Sequence, residues 1–216
     1  MLLDHPADGL MMRIYRIPFS TNVERVALAA AHKGLDVEWI DVDAADRSPV
    51  RAASDQDLVP VAIFEDGSVL ADSTAILEEL ERRHPDPPLY PRDEPRATEE
   101  RLFVDWFNRV WKRPPNDLDA ELRLDRPDPG RIESMRSELA GTRRLFENLL
   151  SGRDYLFGDV LSAADCIAFP FLKYGLIFDP TDDEPFHLIL IEHLALGGGF
   201  PRLEAWIRRV DEHPRA

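Results

Sequence analysis

The sequence predicts two domains, a small α/β domain followed by an all-α helical domain. Strand and helix patterns alternate over residues 12–83, a proline-dense segment covers residues 84–95, and helical apolar spacing continues over residues 96–216. The chain has 216 residues, of which 44% are hydrophobic, which is enough for two small domains with buried cores. Residues 1–11 precede the first strand and are predicted to form a tail.

The first two predicted elements are a strand and a capped helix. Residues 12–17 alternate in polarity as strands do. Residues 21–33 carry apolar side chains at helical spacing. Thr21 and Glu24 have the spacing of a capping box, and Ser20 stands just before them. Hydroxyl groups therefore lie at the predicted start of this helix.

The rest of the first domain completes a small mixed sheet with helices packed on it. The patterns predict a strand at residues 37–42, a short helix or loop at 46–54, a hairpin of strands at 61–64 and 69–71, and a helix at 73–83. The hairpin prediction rests on the Asp-Gly turn between its two apolar runs.

Proline density separates this domain from the next. Residues 84–95 are too rich in proline to continue a helix and are predicted to be a linker. Beyond the linker, helices are predicted at residues 97–111, 130–150, 162–177, 186–196 and 201–212. Ser162 and Asp165 have capping-box spacing at the start of the third of these helices.

Composition and charge exclude several classes of function. The net charge of −15 disfavours nucleic acid and anionic membrane surfaces as partners. The single cysteine, Cys166, excludes intramolecular disulfides and thiolate zinc clusters, and the six histidines have no metal-ligand spacing, so no metal is expected. No apolar run has the length of a membrane span, and the N-terminus lacks the pattern of a signal peptide, so we expect a cytoplasmic protein.

One stretch combines two features that suit a small anionic ligand. Pro60 precedes a predicted strand, where it bends the chain and leaves backbone groups of Val59 free. Twelve residues later, Asp72 and Ser73 open a helix whose first N–H groups have no partner within the helix. A bent sheet edge beside such a helix start predicts a cradle for a peptide-like ligand with carboxylate ends.

Four motifs in this order resemble those of the soluble glutathione transferases of the serine type. They are residues 14–26 (IYRIPFSTNVERV), 59–61 (VPV), 72–76 (DSTAI), and 155–159 with 161–165 (YLFGD, LSAAD). The resemblance implies a thioredoxin-like N-terminal domain, an all-helical C-terminal domain, glutathione as co-substrate and a homodimer.

By this resemblance, Ser20 donates the hydrogen bond that stabilises the glutathione thiolate. Thr21 is its rival, and Asn22 is a more distant one. Arg16 stands where tyrosine-type transferases carry their phenol, and no cysteine lies near Ser20, so a tyrosine or cysteine mechanism is disfavoured.

The resemblance also assigns the residues that bind glutathione. Val59 and Pro60 match the cis-proline element of the family, and Asp72 and Ser73 match the pair that holds the γ-glutamyl end. Leu58 stands where the family often carries Lys or Gln for the glycyl carboxylate. The candidates to replace that contact are Gln56, Arg47 and Arg51.

The resemblance places a pocket for the electrophile between the two domains. Its predicted lining consists of the following residues: Phe19, Phe103, Trp106, Phe107, Val110 and Trp111. Aromatic side chains at helical spacing suit a helix core equally well.

The predicted function is that of a detoxifying glutathione transferase, which joins the glutathione thiolate to small hydrophobic electrophiles. One alternative is an isomerase, dehalogenase or peroxidase that uses glutathione or another thiol. Another is a transferase-like binding or regulatory module without turnover, which Leu58 and the strong net acidity favour.

Overall fold

A computed structural model describes residues 11–216, so residues 1–10 of the predicted tail lie outside the described part of the chain. The chain divides into two compact units. The first holds the described residues up to Pro87 together with Pro214–Ala216, and the second is Pro88–His213. The division between them falls inside the proline-dense segment.

The first unit is built on a four-stranded mixed sheet. Its strands are β1 (Met12–Arg16), β2 (Val37–Asp41), β3 (Val61–Ile63) and β4 (Val69–Ala71). Their order is β2-β1-β3-β4, in which β1 pairs parallel with β2 and antiparallel with β3, and β3 and β4 form the predicted hairpin. The predicted mixed sheet is confirmed.

Three helices accompany this sheet, and they are α1 (Thr21–His32), α2 (Ser48–Ser54) and α3 (Ser73–Arg83). The side-chain oxygen of Ser20 accepts a hydrogen bond from the Val23 N–H at 3.4 Å and caps α1. The cap therefore lies one residue earlier than the spacing of Thr21 and Glu24 predicts.

Lys33 ties the end of α1 to the end of α3 and the chain beyond it. Its side chain has no exposed surface. The ammonium group donates to a carboxylate oxygen of Glu81 at 2.6 Å, to the His84 carbonyl at 2.6 Å and to the Pro87 carbonyl at 2.9 Å. All three donors of the buried cation are therefore satisfied within this unit.

Replacing Lys33 with methionine is expected to lower the free energy of unfolding by about 2 kcal/mol, because three acceptors lose their donor. Urea denaturation monitored by circular dichroism measures the change. Arg82→Met is the matched control, because Arg82 is exposed and pairs with Glu79 at the surface, where ion pairs contribute little to stability. Equal loss in both variants would contradict the role assigned to Lys33.

The second unit is helical throughout. Its helices are α4 (Glu94–Trp106), α5 (Arg113–Leu122), α6 (Pro129–Leu149), α7 (Ala163–Leu172), α8 (Pro185–Leu194) and α9 (Pro201–Asp211). A π-helical turn, Phe107–Trp111, continues α4, and a 3-10 turn, Lys173–Gly175, continues α7. The helical prediction for this domain is confirmed, and every residue of α7 is buried.

Sequence reasoning missed α5. Two adjacent prolines usually indicate that a helix is interrupted. Pro114 and Pro115 lie instead in the first turn of α5. Proline is tolerated there because the N–H it lacks has no partner within the helix.

Candidate functional site

The sheet register brings three predicted site segments to one end of the first unit. Tyr15 pairs with Val61 in the antiparallel ladder between β1 and β3, and Val61 pairs with Ala71 in the hairpin. The chain leaves β1 toward Ser20, enters β3 from Pro60 and leaves β4 toward Asp72 at this same end of the sheet. This convergence builds the candidate site.

Ser20 stands directly before the first residue of α1 and caps this helix. The residue is half-buried, whereas Thr21 is 6% exposed and forms part of the core around α1. The preceding residue, Phe19, is 45% exposed and has a φ of +62°. Because the Ser20 oxygen accepts the Val23 N–H, its O–H proton is left to donate elsewhere. Ser20 is therefore the better placed of the two hydroxyls for a ligand.

Asp72 caps α3 with one of its two carboxylate oxygens. Oδ1 accepts from the Thr74 N–H at 2.8 Å and from the Ala75 N–H at 3.1 Å. The residue has a φ of +92°, a backbone conformation that residues other than Gly, Asn and Asp rarely adopt. In the free protein, the Asp72 carboxylate therefore serves as the N-cap of α3. Asp72 remains exposed at the end of the sheet.

Ser73 is the first residue of α3 and is buried. Its side-chain oxygen accepts a hydrogen bond from Nη1 of Arg25 at 3.3 Å. The hydroxyl predicted to meet glutathione is thus held in place by a residue of α1.

Arg25 is the residue of this region that sequence reasoning missed. It is 1% exposed, and burial lowers the pKa of its guanidinium to about 9, while the nearby Asp72 carboxylate opposes that shift. The available signal was an arginine within the run of apolar residues from Val23 to Ala31 in α1.

The Val59–Pro60 peptide bond is cis, and Pro60 is buried at the entrance to β3. Just before it, Gln56 is bound to its own neighbours. Its side chain accepts from the Leu58 N–H at 2.5 Å, and it donates to the Leu58 carbonyl at 2.9 Å and to the Ser54 hydroxyl at 2.8 Å. The side-chain amide of Gln56 is therefore occupied by hydrogen bonds within the bend before Pro60. Leu58, in contrast, is 70% exposed.

Arg47 and Arg51 both reach Asp57. Arg51 forms an ion pair with the Asp57 carboxylate at 2.8 Å, and Arg47 donates to the Asp57 carbonyl at 3.1 Å. The negative charge beside the cis-proline is thereby compensated. Arg51 is exposed and Arg47 is half-buried, and the exposed ion pair of Arg51 can exchange partners at little cost.

The six residues predicted to line an electrophile pocket divide into two groups. Phe103, Phe107 and Trp111 are buried, and their rings pack with one another and with Phe146. That arrangement matches the alternative of a helix core.

Phe19, Trp106 and Val110 form the second group and retain exposed surface. A cavity of about 500 Å³ in the second unit is lined mainly by residues 88–93 and 157–162, and by none of the six.

No helix within residues 11–216 has both the length and the apolar character needed to cross a bilayer. In the same residues, His, Cys, Asp and Glu side chains nowhere gather in a group of three that could hold a metal ion.

Two family models match this sequence. The model of the glutathione S-transferase N-terminal domain matches residues 14–88, and the model of the glutathione S-transferase C-terminal domain matches residues 133–214. The first match contains all three segments of the candidate site.

Similar curated proteins include FtsZ-localized protein A of Caulobacter vibrioides, which is 26% identical over 184 residues, or 80% of this chain and 79% of that protein. Maleylacetoacetate isomerase of Pseudomonas aeruginosa is 36% identical over 96 residues, or 42% of this chain and 45% of that protein. The family resemblance thus extends to proteins whose names indicate different roles.

Solved structures extend the likeness to the whole fold. A glutathione S-transferase from Rhodospirillum rubrum is 26% identical, with a TM-score of 0.71 over 94% of this chain and 89% of that one. A glutathione S-transferase from Methylobacterium radiotolerans, solved with glutathione sulfonate, is 25% identical, with a TM-score of 0.67 over 95% of this chain and 96% of that one.

Proposed function

The chain belongs to the glutathione S-transferase family, and from that premise we propose that it is a glutathione transferase that activates the thiol with Ser20. The observation that supports this proposal is the convergence of Ser20, the cis Val59–Pro60 bond and the Asp72–Ser73 helix start at one end of the sheet. A family member solved with glutathione sulfonate supports the choice of ligand.

Each segment has a distinct part in this proposal. The backbone of Val59, beside the cis-proline, pairs with the peptide part of glutathione. Asp72 and the start of α3 hold the zwitterionic γ-glutamyl end. Ser20 donates its hydroxyl proton to the thiolate sulfur, since the serine oxygen already accepts from the Val23 N–H.

The electrophile of this reaction is small and hydrophobic. Phe19, which directly precedes Ser20 and is 45% exposed, has the apolar surface to contact such a molecule. The thiolate attacks the electrophilic carbon, and a new carbon–sulfur bond forms while the leaving group departs with its electron pair.

Asp72→Asn tests the ligand site and spares the fold. Asparagine is as good an N-cap as aspartate, and it also tolerates the positive φ at this position. We expect glutathione affinity to fall by about 10-fold or more in isothermal titration, because the charge that meets the γ-glutamyl amino group is lost. Thermal unfolding of the variant should match that of the wild type. Undiminished affinity in a folded variant would contradict the assigned site.

A second thiolate reaction is isomerisation, which the similarity to maleylacetoacetate isomerase favours. That reaction adds the thiolate to a carbon–carbon double bond and later expels it, so glutathione is regenerated. Consumption of glutathione during turnover distinguishes conjugation from isomerisation.

A binding module without turnover is the other candidate. The similarity to FtsZ-localized protein A over 80% of this chain favours it. It is also favoured by the exposed Leu58, which stands where a polar contact to glutathione is expected, and by Gln56, whose side chain is already hydrogen-bonded to Leu58. A saturable glutathione complex with a depressed thiol pKa would count against this candidate. Absence of glutathione binding together with a stoichiometric protein complex would favour it.

A further inference from the structure

We propose that Arg215 offsets the negative charge of Glu24 near the start of α1, so that this end of the helix can hold the glutathione thiolate. The inference rests on the proposed function and refines it. Arg215 acts on the reaction only through Glu24, which makes it a positioning residue and not a catalytic one. It lies in the segment Pro214–Ala216, which belongs to the first unit although it follows the second unit in sequence.

Glu24 makes a contact that its place in the sequence does not predict. Its capping-box spacing assigns it a local role with Thr21 at the start of α1. In the structure its carboxylate also accepts a hydrogen bond from Nη2 of Arg215 at 3.0 Å, across 191 positions. An ion pair with a distant segment is therefore built into the helix whose start carries Ser20.

Glu24 and Ser20 lie on the same side of α1. Residues four apart in a helix are surface neighbours, with Cβ atoms about 5–6 Å apart, and helical side chains lean toward the N-terminus. The Glu24 side chain is therefore directed toward the turn that Ser20 caps. A carboxylate there opposes a thiolate, both by direct repulsion and by weakening the positive end of the helix dipole.

The segment that carries Arg215 is fixed beside α1 by its neighbouring residue. The Ala216 N–H donates to the Ala27 carbonyl of α1 at 3.2 Å, and the indole N–H of Trp39 in β2 donates to the Ala216 carbonyl at 2.6 Å. The ion pair itself is partly shielded from water, with 27% of the Arg215 side chain and 16% of the Glu24 side chain exposed. Arg215 thus compensates a charge that water screens incompletely.

Other charged residues at this end of the first unit interact as oppositely charged partners. They are Arg16 with Asp41, Arg25 with Asp72, and Arg51 with Asp57. Oppositely charged partners largely cancel each other at a distance, so the thiolate is most sensitive to a change that removes one member of a pair. The variants used below leave all three of these pairs intact.

A charge effect and a purely structural link make opposite predictions for this ion pair. Arg215→Met and Glu24→Gln both break it, so loss of a structural link would move the pKa of the bound thiol in the same direction in both variants. Charge acts differently. Arg215→Met leaves the Glu24 carboxylate uncompensated and raises the thiol pKa, whereas Glu24→Gln leaves the Arg215 guanidinium uncompensated and lowers it.

The test is the pH profile of thiolate absorbance for glutathione bound to the full chain. We expect the thiol pKa to rise by about 0.5–1 unit in Arg215→Met and to fall by about as much in Glu24→Gln, because a unit charge acts over a few ångströms through partly solvated surroundings. The double variant should return close to the wild-type value. Arg208→Met is the matched control, since it removes a positive charge from an exposed ion pair with Glu204 on α9 and should leave the thiol pKa unchanged.

The outcomes separate this inference from the function on which it rests. The same thiol pKa in the wild type and in Arg215→Met would overturn the inference alone, and so would shifts of the same sign in the two single variants. No glutathione binding by the wild type would overturn the proposed function and the inference with it. If Arg215→Met does not fold, Glu24→Gln decides by itself, and a thiol pKa that does not fall in this variant would overturn the inference.

Discussion

Replacing Asp165 with asparagine is expected to lower the free energy of unfolding of the second unit by about 3 kcal/mol, because the two oxygens of this buried carboxylate accept hydrogen bonds from four donors. Its Oδ1 accepts from the Leu156 N–H at 2.9 Å and from the indole N–H of Trp206 at 2.8 Å. Its Oδ2 accepts from the Ser162 N–H at 3.0 Å and from the Ser162 hydroxyl at 2.8 Å.

The identity of these donors explains the size of the effect. Three of the four are N–H groups, which only donate, so an amide nitrogen at either position faces a donor and leaves it unsatisfied. Burial raises the pKa of Asp165, and the hydrogen bonds oppose that shift. The residue also forms the predicted capping box of α7 with Ser162, in which the Asp165 carboxylate accepts the Ser162 N–H.

Urea denaturation of the full chain measures the loss, with tryptophan fluorescence as the probe because Trp206 contacts Asp165 directly. Asp159→Asn is the matched control, since Asp159 is exposed a few residues earlier. A change below about 1 kcal/mol in Asp165→Asn would contradict the account of this cluster.

Ser20→Ala is expected to raise the pKa of the bound thiol by about 1–2 units and to slow conjugation near pH 7 by about 10- to 100-fold. A thiol with a pKa of about 8.5 needs a depression of about 2 units, or about 2.7 kcal/mol, to be ionised near neutral pH. One hydrogen bond to a charged acceptor contributes about 1.5–3 kcal/mol, and a helix N-terminus adds about 0.3–2 kcal/mol. A single serine at the start of α1 is therefore sufficient in magnitude.

The readout is the pH profile of thiolate absorbance for glutathione bound to the protein. Ser20→Thr keeps a hydroxyl that can cap α1 and donate, so it should restore most of the depression. Ser20→Ala also removes the cap, at a cost of about 1 kcal/mol in stability, which thermal unfolding detects separately. Thr21→Ala is the control. A profile altered by Thr21→Ala and unaffected by Ser20→Ala would reverse the two assignments.

Regular patterns made much of the fold predictable from sequence. The alternation in β1, the Asp-Gly turn between β3 and β4 and the apolar spacing of α1 and α3 are local signals, and the structure follows them. Proline was harder to read. Pro60 and the linker prolines interrupt the chain as expected, whereas Pro114 and Pro115 begin a helix, because their effect depends on position within the turn.

The parts of the site that were not predictable depend on contacts distant in sequence. Arg25 meets Ser73 across 48 positions, and no pattern within α1 specifies that contact. The hydrogen bonds of the Gln56 side chain to the Leu58 backbone depend on the path of the chain through the bend. Sequence spacing does not predict that path. Phe107 and Trp111 illustrate a different limit, since helical spacing of aromatic residues is the same for a core and for a pocket.

Isothermal titration of the wild-type protein with reduced glutathione tests the central claim most directly. The account predicts saturable binding at one site per chain, lost or strongly weakened in Asp72→Asn and retained in Ser20→Ala. Absence of saturable binding by a folded wild-type protein up to millimolar glutathione would contradict it, and so would binding that Asp72→Asn leaves unchanged.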